Sequence, residues 1–428
     1  MSKASNRAVA ALVGLLGVMG CGSDTNSVGG GSGGNGGAGA RPTGAGGNST
    51  GAGGAAGAAM GTGGNGGTGV AGTGGTAGPA GRDRSGTGGA GPTSTTGTGG
   101  AGGGAGGGAS CAATALTRCQ GTMSGAWCVD QFPGDASGPI INALWSGGPT
   151  DVWAVGSQGA YTLGVGAATG VLLHWDGCQW QKSLVPGAGF NDVWGASATD
   201  VWTVGDRGTA LHWDGAAWSP VATGTTTTIL AAVSGTGSRD VWAVGLTGAL
   251  HWNGTAWSLS PEIAATPGAF YSFGGDIWAA APNDVWVAMA GVARGSVAHF
   301  DGASWAITPV SPRTDFLLFG VWSDGATTWA VGEGTQILKR SAGAWMQVQP
   351  PGGSSVGFTN VMAAGADVYA VGESLVHATG GGAFQPDNDA PAGSFKGLWV
   401  TSSQVWVTGS ETNAAFPSGV SVIIHRAR

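Results

Sequence analysis

From Trp127 onward, the chain alternates short apolar runs with clusters of Gly, Asp and Ser. One complete set of four runs lies at residues 190–196, 200–205, 209–213 and 217–221. These runs are short and rich in Val, Trp and Leu, which predicts β-strands. Stretches such as Val-Trp-Ala-Val are apolar at consecutive positions, and this is typical of sheets that are covered on both faces.

The second run of this set is a repeat. The sequence Asp-Val-Trp-Ala-Val-Gly at residues 151–156 recurs in related form at 200–205, 240–245, 284–288, 328–332, 367–372 and 404–409. The aromatic residues of the copies are Trp153, Trp202, Trp242, Trp286, Trp329, Tyr369 and Trp406, at intervals of 49, 40, 44, 43, 40 and 37 residues. Seven copies with a period near 40 residues indicate a repeat architecture.

Each copy contains four predicted strands. Four-stranded sheets that pack face to face around an axis cover both faces of every sheet and leave only short edges. We therefore predict an all-β fold, a seven-bladed β-propeller of four-stranded blades at residues 125–428. Asp214 and Gly215 separate the third and fourth runs, and this dipeptide is typical of type I′ hairpins, whose two central residues have positive φ.

The last copy contains only three runs, at residues 395–401, 405–409 and 420–427. Before the first copy, Ser-Gly-Ala-Trp at residues 124–127 matches in kind the beginning of a fourth run. We therefore predict that residues 125–131 pair with residues 420–427 as the outermost strand of the seventh blade. This N-terminal strand would close the ring.

The N-terminal third of the chain has a different composition. Residues 22–110 contain no Trp, Tyr or Phe and consist mainly of Gly, Ala, Thr and Ser. Such a segment cannot bury enough apolar surface to offset the entropy lost on ordering, so we expect disorder. We assign residues 1–20 to a lipoprotein signal peptide, 21–110 to a Gly-rich linker, 111–124 to a Cys-containing segment and 125–428 to the propeller.

An apolar run at residues 8–20 follows two basic residues and is too short for a permanent membrane helix, which is typical of a signal peptide. It ends in Val-Met-Gly-Cys at Cys21, which resembles the bacterial lipobox. The resemblance implies lipidation of Cys21 and a location at the outer membrane or cell surface, or in the periplasm. An ordinary secretion signal cleaved nearby is the alternative.

The cysteines after the linker are Cys111, Cys119, Cys128 and Cys178. An even count in an exported protein predicts two disulfides, with three alternative pairings. No Cys-x-x-Cys spacing supports a zinc site. We predict no cofactor and no bound metal. Charged residues are 9% of the chain and the net charge is −7, so no basic stripe is available to bind nucleic acid.

The histidines lie in the third runs, once in each of six copies, at His174, His212, His251, His299, His377 and His425. Residues distributed around a ring in this way are not gathered into a catalytic or metal site, so we predict a structural role and no catalytic residues. Antiparallel pairing of the second and third strands brings the repeat aspartate near the histidine of its blade. The expected pairs are Asp151–His174, Asp200–His212, Asp240–His251, Asp284–His299 and Asp367–His377.

The repeat, with Leu-His-Trp-Asp-Gly in its third run, resembles the repeats of BNR-type and photosystem-II-assembly-factor-type propellers, a group that also contains sialidases. It resembles in particular the propellers of bacterial surface lipoproteins with long Gly-rich linkers. The sialidase box Ser-x-Asp-x-Gly-x-Thr-Trp is not matched, because Gly215 follows Asp214 directly. We therefore favour a non-catalytic binding protein, and keep an exported, sialidase-like glycoside hydrolase or lyase as the alternative.

In antiparallel four-stranded blades, the loops between second and third strands and those between blades lie at one end, which we call the loop face. The opposite end carries the Asp-Gly turns and is called the turn face. The loop face varies in length between blades and carries the charges that lie outside the repeat. The candidate binding residues there are Asp206, Arg207, Glu333, Glu373, Glu411 and Tyr161. We expect a monomer that binds a protein or glycan and meets the membrane only through its lipid anchor; solvated loop tips without a ligand are the alternative.

Overall fold

The computed structural model describes residues 119, 121–132, 139–159, 169–225, 229–246, 248–260, 274–290, 294–311, 315–350, 357–411 and 420–428. These residues form 29 β-strands, arranged in seven sheets, and a short 3-10 turn at Asp206–Gly208. The predicted seven-bladed β-propeller is confirmed. The predicted signal peptide and linker, together with Cys21, Cys111 and Tyr161, lie outside the described residues. No helix within the described ranges is long and apolar enough to cross a membrane.

Two N-terminal strands precede the first blade. The strands of each blade are numbered from the innermost one outward. The N-terminal strands are β1 (Thr122–Ser124) and β2 (Trp127–Gln131). Blade 1 contains β3 (Ile140–Gly148), β4 (Asp151–Gln158), β5 (Thr169–Trp175) and β6 (Trp180–Pro186). Blade 2 contains β7 (Phe190–Ser197), β8 (Asp200–Gly205), β9 (Ala210–Trp213) and β10 (Trp218–Pro220). Blade 3 contains β11 (Leu230–Gly237), β12 (Asp240–Gly245), β13 (Gly248–Trp252) and β14 (Trp257–Leu259).

The remaining blades follow the same antiparallel order. Blade 4 contains β15 (Gly274–Ala281), β16 (Asp284–Met289), β17 (Ser296–Phe300) and β18 (Trp305–Pro309). Blade 5 contains β19 (Leu318–Ser323), β20 (Thr327–Gly332), β21 (Ile337–Ser341) and β22 (Ala344–Val348). Blade 6 contains β23 (Phe358–Ala364), β24 (Asp367–Gly372), β25 (Leu375–Ala378) and β26 (Gln385–Pro386). Blade 7 contains β27 (Gly393–Val400), β28 (Gln404–Glu411) and β29 (Val420–Ala427).

The N-terminal strand closes the ring, as predicted. β2 pairs antiparallel with β29, with Cys128 opposite His425 and Val129 opposite Ile424. The predicted position of β2 as the outermost strand is wrong, because β1 folds back on it and makes the seventh sheet five-stranded. The two residues between β1 and β2 are Gly125, with φ 55°, and Ala126, and such a tight turn lets the chain pair with itself.

Tryptophans pack neighbouring blades together. Trp153, from the second strand of blade 1, contacts Trp213 and Trp218 of blade 2 with ring centroids 5.1 Å away in each case. Trp202 repeats this contact with two tryptophans of blade 3, at 5.0 and 5.4 Å. Tilted and edge-on aromatic pairs contribute about 0.5–1.5 kcal/mol beyond the burial of their area. The tryptophan of the repeat therefore recurs because each blade boundary needs it.

The glycine that ends the repeat is required by a close approach of two main chains. A Cβ atom added to Gly205 would lie 1.9 Å from the carbonyl oxygen of Gly189, and one on Gly332 would lie 1.9 Å from that of Leu317. The amide after the glycine uses the same carbonyl, since Asp206 N donates to Gly189 O at 3.0 Å. A larger residue at Gly205 or Gly332 would push the first strand of its blade away from the second.

The turn between β9 and β10 differs from the predicted type I′ hairpin. Only Gly215 has a positive φ, 94°, whereas a type I′ turn needs positive φ at both central residues. Asp214 Oδ1 instead accepts hydrogen bonds from the amides of Ala216 and Ala217, at 2.9 and 2.8 Å. An Asp side chain that bonds the main chain after it stabilises a longer loop, which explains the difference. Positive φ at both central residues occurs in blade 5, at Ala342 and Gly343.

Candidate functional site

The first strands of the seven blades line a central channel. Each first strand begins at the loop face and ends at the turn that leads to the second strand. In blade 2, Asp192 therefore lies nearer the loop face and Trp194 nearer the turn face. The channel-lining positions differ between blades, whereas the second strands repeat one pattern. The seven blades therefore differ most in their first strands, which lie along the axis of the ring.

Tryptophans close the channel toward the turn face. The position of Trp194 is also a tryptophan in blades 1, 4, 5 and 7, at Trp145, Trp278, Trp322 and Trp399. Trp278 and Trp399 come from opposite sides of the ring, and their ring centroids are 5.9 Å apart. Trp399 also contacts Trp145 at 6.3 Å, and Trp278 contacts Trp322 at 6.1 Å. Because indole rings meet across the axis, the channel is blocked at this end.

Polar side chains join the blades nearer the loop face. Asn142 Nδ2 donates to the carbonyl oxygen of Phe190 in the next blade at 2.8 Å, and Asn191 Nδ2 donates to that of Leu230 at 2.8 Å. Thr359 makes the same kind of bond from blade 6 to blade 7, at 3.0 Å. Among the described residues, the channel is therefore polar toward the loop face and aromatic toward the turn face.

Two carboxylates face the channel, Asp192 from blade 2 and Asp276 from blade 4. Asp192 accepts hydrogen bonds from the amide of Val193 at 2.9 Å and from that of Val233 in blade 3 at 2.7 Å. Asp276 accepts one from the amide of the residue after it at 2.8 Å and one from Val321 in blade 5 at 3.2 Å. Each carboxylate thus bonds its own blade and the next one.

Burial in the channel changes the pKa of both carboxyl groups. Burial raises the pKa of Asp276 to about 7. Burial, and secondly the charge of Asp276, raise the pKa of Asp192 well above its usual range, against the effect of its main-chain hydrogen bonds. Both side chains are only partly exposed, toward the channel. Desolvation by the channel walls therefore outweighs the amide donors, which favour the charged form.

Lys396 is the one basic residue that the described first strands contain. It lies in the irregular start of β27, and its Nζ donates to Asn142 Oδ1 of blade 1 at 3.3 Å. Its side chain is exposed, yet the surrounding protein desolvates the ammonium and lowers its pKa. Its hydrogen-bond partner is an amide and not either carboxylate.

The channel is narrow, with a cavity of about 40 Å³. That volume holds a few water molecules, whereas small-molecule pockets typically have roughly 300–1,000 Å³. The channel does contain a carboxylate pair, the feature that glycoside hydrolysis would require. Both carboxylates, however, already bind main-chain amides, and the cavity is too small for a sugar ring. The arrangement is suited to joining blades.

The repeat aspartate and histidine meet in blades 1 to 4, on the turn face. Nε2 of His174, His212, His251 and His299 lies 2.9, 2.7, 2.7 and 2.7 Å from Oδ1 of Asp151, Asp200, Asp240 and Asp284, respectively. Each histidine also stacks on the tryptophan of its blade, with ring centroids 3.9 to 4.4 Å apart. Burial raises the pKa of Asp240, but hydrogen bonds led by that from His251 lower it overall. These pairs are spread around the ring and do not form one site.

Blade 6 departs from this pattern, so the expected Asp367–His377 pair is wrong. Asp367 Oδ2 instead accepts a hydrogen bond from Arg428 Nη2 at 2.7 Å. His377 Nδ1 lies 3.5 Å from Asp387 Oδ2. The end of β29 brings Arg428 to blade 6, and its permanently charged guanidinium is a stronger partner for a carboxylate than a neutral imidazole.

Blades 5 and 7 replace the pair in different ways. In blade 5, Lys339 Nζ lies 5.3 Å from the ring centroid of Trp329, where other blades stack a histidine. In blade 7, His425 stacks on Trp406 at 4.2 Å and lies 3.6 Å from Asp130 Oδ2 of β2. The closing strand therefore supplies the carboxylate that the second strand of blade 7 lacks.

Two predicted binding residues of the loop face are engaged by the fold. Asp206 is buried within the short turn that follows β8. Glu333 Oε2 accepts a hydrogen bond from the amide of Leu317 at 3.0 Å, and Arg294 Nη1 lies 4.0 Å from it. A substitution at either position would therefore affect the blade as well as any partner.

The other predicted binding residues are more accessible. Arg207 is exposed and has a φ of 57°, and Glu373 and Glu411 are half-buried. They follow the second strands of blades 2, 6 and 7, so they are distributed over the loop face instead of gathered in one cluster. Tyr161 lies outside the described residues.

Cys119 and Cys128 form a disulfide that ties the start of β1 to β2. Cys178 is also disulfide-bonded. Although Cys119, Cys128 and Asp130 lie close together, the two thiols are consumed by the disulfide and do not offer metal ligands.

Sequence reasoning did not identify Asp192, Asp276 or Lys396 as site residues. A signal was present, because the position of the two aspartates is Ala or Gly in blades 1, 3, 5 and 7. A charged residue at a repeat position that other blades fill with a small residue indicates a side chain that faces the channel.

No family model matches the chain, and none of the curated proteins is similar to it in sequence. Its fold is similar to that of YCF48 bound to D1 peptide, with 16% identity and a TM-score of 0.52 over 73% of this chain and 100% of that one. The WD40 repeats of RRP9 share 11% identity, with a TM-score of 0.52 over 70% and 97% of the two chains. The extracellular domain of the hybrid two-component system BT4673 from B. thetaiotaomicron shares 12% identity, with a TM-score of 0.50 over 69% of this chain and 39% of that one.

These similarities place the chain in the structural class of β-propellers. Identities of this size establish the fold alone, and propellers of one fold carry many functions. YCF48 represents the photosystem-II-assembly-factor type that the repeat resembles.

Proposed function

We propose that the chain is a non-catalytic, lipid-tethered propeller of the cell envelope that binds a protein or glycan partner through its loop face. The observation that carries the proposal is the difference between the two ends of the ring. Trp278 and Trp399 meet across the channel near the turn face, whereas described side chains nearer the loop face, such as Asn142 and Asn191, are polar. The turn face uses its polar groups internally, in the Asp–His pairs and in the loops capped by residues such as Asp214.

A binding role is consistent with what propellers of similar fold do. One such neighbour, YCF48, has a structure bound to D1 peptide. Loops held on a rigid scaffold are where binding residues concentrate, and the loops of this ring vary while its turns repeat.

Binding is tested with the full chain, purified in its unlipidated Cys21→Ser form so that no lipid contributes, and with isolated envelopes of its source organism. Arg207→Glu and Glu373→Lys reverse accessible charges on the loop face, and Ala216→Lys adds a charge on the turn face as the matched control. The loop-face variants should raise the Kd for envelope binding about tenfold, equivalent to 1.4 kcal/mol, while the control binds like wild type. Equal binding by all three variants would contradict the assignment of the face.

The lipid anchor is proposed from the lipobox resemblance at Cys21. Cys21→Ser should move the protein from the membrane to the soluble fraction, or leave its signal peptide uncleaved, whereas Ser23→Ala should leave the distribution unchanged. Membrane association of the Cys21→Ser protein would show that something other than a lipid holds it there.

The alternative, an exported sialidase-like hydrolase or lyase, would have to use Asp192 and Asp276, the carboxylate pair in the channel. The cavity size and the main-chain hydrogen bonds of the pair oppose it. Hydrolysis of a fluorogenic sialoside or glucoside by the purified chain, abolished by Asp276→Asn, would favour this alternative over the binding role.

A further inference from the structure

The contacts between first strands differ from one blade boundary to the next. The boundaries from blade 2 to blade 3 and from blade 4 to blade 5 are bridged by carboxyl groups, through Asp192 to the amide of Val233 and through Asp276 to the amide of Val321. The boundary from blade 7 to blade 1 is bridged by Lys396, and others use uncharged side chains, such as Asn142 between blades 1 and 2. Only ionisable bridges respond to pH.

We infer that Asp192 and Asp276 form a pH-sensitive clamp on these two blade boundaries, closed when the carboxyls are neutral and loosened when both are ionised. The inference does not depend on the proposed partner, because it concerns the ring itself. It rests first on where the two side chains lie, facing one channel of about 40 Å³.

Few charged or titratable groups lie in the half of the channel that is nearer the loop face. From the described parts of the seven first strands they are Asp192, Asp276 and Lys396. Lys396 bonds the amide oxygen of Asn142, and neither aspartate has a cationic hydrogen-bond partner among the described residues. The other polar groups lining the channel, on Ser234 and Asn360, carry no charge. Two ionised carboxylates would therefore repel each other across a space with little water to screen them.

The acidity of the pair supports this geometry. Burial raises the pKa of Asp276 to about 7 and raises that of Asp192 well above its usual range. An unfolded chain has an aspartate pKa of about 3.9. Between these values the folded state of this pair binds more protons than the unfolded state, so the contribution of the pair to stability is fully present below about pH 4 and is lost as the pH rises through 7.

The repulsion between the two ionised carboxylates can be relieved if water or a counter-ion enters between the first strands. Either response weakens the bonds to Val233 and Val321, because the strands must separate at the loop end of the channel. The fold would then be tighter in mildly acidic surroundings than in alkaline ones.

Hydrogen exchange of the full chain at pH 5.5 and 8.5 tests the clamp. The protection factors of the amides of Val233 and Val321 should be about tenfold lower, or more, at the higher pH. A change of one pKa unit corresponds to a tenfold change in an equilibrium constant. The double variant Asp192→Asn with Asp276→Asn should lose this pH dependence, whatever its absolute stability. Asp214→Asn is the matched control, because main-chain amides, first that of Ala217, lower the pKa of Asp214 and keep it ionised throughout.

A second measurement decides the matter if the double variant does not fold. In wild-type protein labelled with carbon-13 at the aspartate carboxyls, one resonance should titrate near pH 7 and a second well above the usual range of an aspartate. Titration of every aspartate below pH 5, or identical protection factors at both pH values in wild type, would overturn the clamp.

Discussion

Trp278 of blade 4 and Trp399 of blade 7 contact each other across the axis, with ring centroids 5.9 Å apart. The two blades are not neighbours in the ring, so this contact braces the propeller across its centre. Every other blade contact described above runs between neighbours around the circumference. The aromatic end of the channel therefore has a structural role.

Trp399→Ala should lower the free energy of unfolding by about 3 kcal/mol, the lower end of the range for Trp→Ala, because both rings are partly exposed. Urea denaturation followed by circular dichroism measures the change. Met346→Ala, at a side chain with 54% exposure on the outer strand of blade 5, should stay within about 0.5 kcal/mol of wild type. A cost of less than about 1 kcal/mol at Trp399 would mean that the contact across the axis is dispensable.

Ring closure should depend on Trp127, which is fully buried in β2 and donates from Nε1 to Asp387 Oδ1 at 3.1 Å. Trp127→Ala should destabilise the domain by about 3–5 kcal/mol. Met123→Ala in β1, where the side chain is 62% exposed, should change stability by about 0.5 kcal/mol or less. Similar melting of the two variants would argue against closure by the N-terminal strand.

The Asp–His pairs should stabilise the turn face only where they form. A double-mutant cycle with His212→Ala and Asp200→Ala should give a coupling energy of about 1 kcal/mol, since their atoms are 2.7 Å apart. The same cycle for His377 and Asp367 should give a coupling near zero, because Asp367 bonds Arg428. Equal coupling in the two blades would contradict the exchange of partners in blade 6.

Gly205, the repeat glycine of blade 2, should tolerate no side chain. Gly205→Ala places a Cβ 1.9 Å from a main-chain oxygen and should cost about 3 kcal/mol or more, since the main chain must move. Gly237→Ala, where a Cβ has no neighbour within 4 Å, should be nearly neutral. Thermal unfolding of both variants checks the contrast, and a neutral Gly205→Ala would show that the two strands are not held so closely.

Much of the fold could be predicted because it is local and repeated. The Asp-Val-Trp motif specifies a second strand, its inter-blade tryptophan and its closing glycine with the same residues in almost every copy. The N-terminal closing strand could be predicted for the same reason, because Trp127 stands where other blades have the tryptophan of their fourth strand. The extra strand β1 lies outside the repeat, so the repeat could not reveal it.

Long-range pairings in the ring could not be read from the repeat. The pairing of Asp367 with Arg428 joins residues 61 positions apart and replaces a local partner. The contact of Trp278 with Trp399 depends on the width of the closed ring, which no single copy contains. Asp192 and Asp276 act through the next blade, so their environment becomes visible only when the blades are assembled.

Site-specific photo-crosslinking in cells of the source organism tests the central claim, partner binding at the loop face, most directly. A photoreactive residue is placed in the full chain at Arg207 or Glu373 on the loop face, and at Ala216 or Thr255 on the turn face, in separate proteins. The account predicts one shared adduct from both loop-face positions and none from the turn-face positions. Adducts from the turn-face positions, with none from the loop face, would contradict it.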